Sequence, residues 1–132
     1  MSGAAIVVER VVEWADTDAS GHAHNSLATR LLESAEGELM RRAGLAALQP
    51  AMPRVRVLFE FRSRLFAGDA VTAELRLRAM GRTSLTWDLV VRGPDGATAI
   101  TGEAVVVHAP GSSAEPWPEG VRQALGAGAL SG

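Results

Sequence analysis

Two periodicities divide the chain. From Ile6 to Trp14 apolar residues fall at alternate positions, with Ile6, Val8, Val12 and Trp14 on one side, Val7, Glu9, Val11 and Glu13 on the other, and Arg10 interrupting the first row. A period of two predicts a strand buried on one face. From Leu27 to Ala43 the spacing changes, and Leu27, Leu31, Leu32, Ala35, Leu39 and Ala43 fall along one stripe of a helix. Arg41 and Arg42 suit the negative end of that helix, and Gly44 suits a left-handed stop just beyond it.

Pro50 and Pro53 mark a connection, after which period two returns. Val55, Val57, Phe59 and Phe61 alternate with Arg54, Arg56, Glu60 and Arg62; Val71, Ala73, Leu75, Leu77 and Ala79 alternate with Thr72, Glu74, Arg76 and Arg78. Each run predicts a strand with one buried face. Gly81-Arg82-Thr83 reads as a tight turn into Leu85, Trp87, Leu89 and Val91, and Gly93-Pro94-Asp95-Gly96 as a hairpin turn into Ala99 to His108. One strand, a long helix and four consecutive antiparallel strands define an α+β domain over residues 1–110. About five strands form one curved sheet with the helix across its concave face. Residues 111–132, rich in Pro, Gly and Ala, form a tail with a short helix after Pro118 and a frayed end.

Composition narrows the class. A chain of 132 residues buries one core and no second one. A net charge of −2 without basic runs gives no footprint for nucleic acid. The absence of cysteine excludes disulfides and thiolate metal sites. Neither a basic, then apolar leader nor an apolar run of roughly 20 residues is present, so a cytoplasmic protein without a membrane span is expected. All 13 basic residues are arginine, a hint of a GC-rich bacterial genome.

Chemically capable residues concentrate between strand and helix. Asp16, Asp18, His22, His24 and Asn25, with several hydroxyls, fall in the eleven residues from Asp16 to Ser26. A helix starting at Asn25 or Ser26 would aim free backbone N–H groups back at them. Asn25 is the candidate N-cap, Asp16 suits capping of the Asp18–Gly21 amides, and His24 is expected at the periphery. Trp14, Trp87, Phe59 and Phe61 read as core or interface, and the arginine rows as a solvated sheet face.

Asp18-x-x-Gly21-His22-x-x-Asn25, followed by Arg30-Leu31-Leu32-Glu33-Ser34-Ala35, resembles the hotdog-fold acyl-CoA thioesterases, in particular their 4-hydroxybenzoyl-CoA thioesterase-like branch. The element order matches over nearly the whole chain. The resemblance implies hydrolysis of an aromatic or short acyl-CoA to free acid and CoA, without metal or cofactor. It makes Asp18 the nucleophile or general base, with His22 and Glu33 as further catalytic candidates. Gly21 and Asn25 would meet the substrate, and Arg82, Thr83 and Ser84 the CoA phosphates. Since the family's pantetheine arm enters at a dimer interface, a homodimer or homotetramer is implied, which would bring the otherwise solvent-facing Glu33 into a shared site. The rival readings are an acyl carrier protein thioesterase and a non-catalytic acyl-CoA binder; a hotdog dehydratase fits less well, lacking the expected prolines and glycines between His22 and Glu33. The chain departs from relatives at Ser20, where plant carrier-protein thioesterases place Asn, and at Leu27, Ala28 and Thr29, where aromatic residues are common.

Overall fold

A computed structural model describes residues 3–127. Strands β1 (Ala5–Val11), β2 (Arg54–Phe61), β3 (Ala70–Met80), β4 (Ser84–Arg92) and β5 (Thr98–Val107) form one antiparallel sheet in the order β1-β3-β4-β5-β2, and helix α1 (Ser26–Arg42) packs on its inner face. This is the α+β arrangement that the periodicities predict. The turns follow from their residues. Gly81 donates its N–H to the Ser84 carbonyl at 2.8 Å between β3 and β4. In the β4–β5 hairpin Gly96 takes φ +81°, a left-handed value that favours glycine, and Asp95 accepts the Ala97 N–H at 3.0 Å. Gly44 at φ +75° stops α1 as expected.

The core lies between the inner rows of β3 and β4, including Leu75, Leu77, Trp87 and Leu89, and the Leu31, Ala35 and Leu39 stripe of α1. Full burial of one such side chain is worth about 1.5–3 kcal/mol. The buried surface of α1 is wider than its stripe predicts. Met40, which falls outside that stripe, is fully buried, and α1 also packs against a 3-10 turn at Ala46–Ala51.

Two strand expectations change. β1 ends at Val11, and Trp14 opens a 3-10 turn, Trp14–Asp16, in which Asp16 Oδ2 accepts the Glu13 N–H at 2.8 Å. That bend leaves Trp14 81% exposed and removes it from the core. β2, expected to bury one face, leaves Val55, Val57 and Phe61 exposed, because it is the sheet's edge and nothing among the described residues covers that stretch. A bulge between Arg54 and Arg56 breaks the alternation and turns Arg54 inward.

Arg54 there meets Glu36, which is buried and accepts hydrogen bonds from Arg54 Nη2 and from Trp87 Nε1, each at 2.8 Å. Burial raises the Glu36 pKa above its usual 4.5, and the Arg54 charge and Trp87 contact offset this only in part. A carboxyl whose folded-state pKa is raised contributes most below its unfolded pKa, and that contribution is lost as pH rises through the folded value. Relative to Glu36→Gln, which does not titrate, wild-type Tm is expected to fall from pH 4.5 towards neutrality. A difference flat with pH would show that folding leaves the Glu36 pKa where it is in the unfolded chain.

The tail packs back across one end of the sheet. Trp117 stacks on His108 with ring centroids 5.4 Å apart and donates Nε1–H to the Ser84 carbonyl at 3.1 Å. Arg122, in the short helix α2 (Val121–Ala124), donates to the carbonyls of Met80 and Gly81. The expected frayed end, over residues 128–132, lies outside the described residues. No helix among the described residues is long and apolar enough to cross a membrane.

Candidate active site

The polar loop between β1 and α1 is fixed at both ends. Asp16, buried, receives Arg30 Nε on Oδ1 at 2.8 Å and Arg30 Nη2 on Oδ2 at 2.6 Å, a two-point contact that ties the loop to α1. The Arg30 guanidinium holds the Asp16 carboxyl below the usual aspartate range. The far side of the loop pairs with the segment after β2: Ala23 donates to the Leu65 carbonyl at 2.7 Å, and His22 meets Phe66 edge to face at 6.2 Å. Within the loop, Asp18 and His24 donate to the carbonyls of His22 and Asp16, which makes a short ribbon of it.

At the tip of the ribbon the chain turns over Asp18-Ala19-Ser20-Gly21, closed by Gly21 N–H to the Asp18 carbonyl at 3.0 Å, with Gly21 at φ +86°. Gly21 therefore has a conformational reason to be there, since a side chain at that φ would be strained. Asp18 is exposed, and its Oδ1 accepts both the Ser20 N–H, at 2.8 Å, and the Ser20 hydroxyl. The capping of this turn expected of Asp16 is thus performed by Asp18 itself. Among the described residues Oδ2 of Asp18 has no hydrogen-bond partner. The Ser20 contacts, and more weakly the two histidines, hold the Asp18 pKa below its usual value, so it is ionised at neutral pH. Ser20 Oγ also lies 3.2 Å from His22 Nδ1 and so links imidazole to carboxylate.

The start of α1 differs from expectation. The Asn25 side chain makes no cap; His24 Nδ1 accepts the Ser26 N–H at 3.1 Å in its place. Leu27 and Ala28 donate to the carbonyls of His24 and Asn25, so the first helical amides are not free. The Asn25 N–H, like those of Ala19 and His22 in the loop, has no partner among the described residues.

His22, His24 and Asn25 form one wall of a cleft of about 330 Å³, and Phe61, Arg62, Arg64, Leu65 and Ile100 form much of the other. Asp18 and Gly21, at the tip of the ribbon, do not line the cleft, and the remaining expected site residues lie elsewhere. Glu33 is exposed on α1 and does not line the cleft. Arg82, Thr83 and Ser84 stand where β3 meets β4, whereas the loop meets β3 at its opposite end, through Val12 N–H to the Asp69 carbonyl. The length of β3 separates them, roughly 30 Å at about 3.3 Å per residue. Among the described residues no group of three or more His, Asp or Glu side chains is arranged to hold a metal ion.

Comparison with known proteins bears on the family and the fold. The model of the thioesterase-like superfamily matches residues 12–125. A thioesterase of Thermus thermophilus complexed with coenzyme A and Zn is 25% identical, with a TM-score of 0.83 over 90% of this chain and 95% of that one. A 1,4-dihydroxy-2-naphthoyl-CoA thioesterase from Synechocystis is similar in fold at 19% identity and a TM-score of 0.83, covering 92% of this chain and 96% of that one. A hypothetical protein from Thermus thermophilus is 26% identical, with a TM-score of 0.83 over 91% and 96% of the two chains. No curated protein matches in sequence. The chain belongs to the thioesterase-like superfamily and is a thioesterase of the hotdog fold.

Proposed function

We propose that the chain hydrolyses acyl-CoA to free acid and CoA, with Asp18 acting at the thioester carbonyl. The observation that carries this is the Asp18 carboxylate itself: ionised, with one oxygen fixed by Ser20 and the other unpartnered, on the same short ribbon as the unpaired Asn25 N–H. As general base, Oδ2 takes a proton from water while the water oxygen bonds to the carbonyl carbon. The Asn25 N–H and its side-chain amide meet the negative charge that develops on the thioester oxygen. The C–S bond then breaks and CoA leaves with the proton. As nucleophile, Oδ2 would form a mixed anhydride that water opens to the same products. His22, across Ser20 from Asp18, positions the hydroxyl that holds Oδ1.

The homodimer reading draws on β2. An edge strand with Val55, Val57 and Phe61 exposed suits pairing with a second copy. If two β2 strands pair antiparallel, the opposite ends of the two sheets come side by side. The Arg82-Thr83-Ser84 turn of one copy would then approach the Asp18 loop of the other, where a guanidinium and hydroxyls suit CoA phosphates.

The test is free-thiol release from acetyl, medium-chain, benzoyl and hydroxybenzoyl CoA thioesters; the protein, lacking cysteine, adds no thiol. Turnover of at least one ester is expected, with an aromatic or short acyl group favoured by the size of the cleft. Saturable acyl-CoA binding without thiol release would overturn the reading in favour of a non-catalytic binder. Cleavage confined to carrier-protein thioesters would replace CoA as the substrate carrier.

A further inference from the structure

Two arginines, Arg62 and Arg64, line the cleft. On the outer face of the sheet Arg56 pairs with Glu103, Arg76 with Glu74, and Arg78 with Asp88 and Glu103; toward the helix Arg30 pairs with Asp16 and Arg54 with Glu36. In the cleft, Arg62 pairs with Glu60 at 3.4 Å, as far as Arg56 lies from Glu103. Arg64 has no hydrogen bond or ion pair among the described residues, and no carboxylate lines the cleft. The Arg64 side chain is exposed, while its backbone is anchored by the next residue, Leu65, which is 3% exposed and whose carbonyl accepts the Ala23 N–H. A guanidinium without a carboxylate partner, such as that of Arg64, presents a fork of donors that matches a carboxylate. Phe61, Leu65 and Ile100 supply an apolar surface alongside them.

From this arrangement we infer that the cleft takes an acyl group that ends in a carboxylate, bound by Arg64 with Arg62 beside it, the rest of the acyl chain lying on Phe61, Leu65 and Ile100. The inference rests on the thioesterase reading and names its substrate class: CoA monothioesters of short dicarboxylic or carboxyaryl acids. The anion belongs to the acyl group rather than to CoA. Asn25, which would hold the thioester oxygen, forms the facing wall, and the long pantetheine arm keeps the phosphates away from the sulfur. A volume of about 330 Å³ holds on the order of eleven water-sized atoms at about 30 Å³ each, room for a short acyl chain or one ring.

The test compares kcat/KM within matched pairs, adipoyl-CoA against heptanoyl-CoA and 4-carboxybenzoyl-CoA against 4-methylbenzoyl-CoA, for wild type, Arg64→Gln and Arg64→Lys. The wild type is expected to prefer the acidic member of each pair by about tenfold or more, as a charge-assisted contact warrants. Arg64→Gln should lower that ratio by about as much, and Arg64→Lys should restore part of it. Equal or faster cleavage of the neutral members sinks the inference and leaves the thioesterase reading standing. An acid preference that survives in Arg64→Gln overturns the assignment to this cleft. If no ester of either kind releases thiol, the thioesterase reading fails first and takes this inference with it.

Discussion

Replacing Asp18 by Asn is expected to lower kcat/KM for CoA release by about 10²-fold or more while the protein remains folded. The substitution is well matched to the geometry. The amide oxygen can still accept the N–H and hydroxyl of Ser20, so the turn closed by Gly21 has no reason to open. What changes is the other position, where an unpartnered carboxylate oxygen becomes an NH₂ group that can neither take a proton nor attack a carbonyl. Because Asp18 is exposed, its neutral replacement leaves no buried charge behind. Thiol release and far-UV circular dichroism, measured on the same samples, check both halves. A variant as fast as wild type would remove Asp18 from the chemistry and direct attention to Glu33.

The largest expected effect on stability comes from Trp87. Its side chain is fully buried in the central strand β4, and its indole N–H is the neutral donor to the buried Glu36 carboxylate. Trp87→Ala should cost about 3–5 kcal/mol through lost packing and the cavity left behind. The loss of a donor to a buried carboxylate adds about 1–3 kcal/mol. Trp87→Phe keeps most of the packing and loses the hydrogen bond, so it separates the two contributions. Denaturant unfolding of the three proteins gives both differences; a loss below about 1 kcal/mol in Trp87→Ala would mean that the site collapses around the missing ring.

Much of the fold was legible in the sequence, since strand and helix periods report which face of each element meets the core. The long helix ends at its glycine, and the hairpins turn at the residues that favour turns. The errors share a cause, which is that periodicity cannot say what covers an apolar row. Val55, Val57 and Phe61 alternate as buried residues do, yet stay exposed at an edge; Met40 lies off the apolar stripe, yet is fully buried. The bulge that brings Arg54 to Glu36 leaves no mark in an alternating run. At the site, the concentration of polar residues located the loop, and the turn chemistry of Asp and Gly is visible in the order of residues. The division of labour is not. That Asp16 would meet Arg30, that His24 would cap the helix in place of Asn25, and that the segment around Arg64 would face the histidines depends on how the ribbon folds back, through contacts distant in sequence.

The pairing of arginine with acidic residues over the outer sheet face has a consequence for alkaline solution. The chain contains no lysine, tyrosine or cysteine, and guanidinium groups keep their protons to about pH 12 and beyond. No side chain of a type that ordinarily titrates between about pH 8 and 12 is present. The side-chain charge of −2 is therefore constant there, and Arg56, Arg76 and Arg78 keep their partners under conditions that would discharge a surface built on lysine.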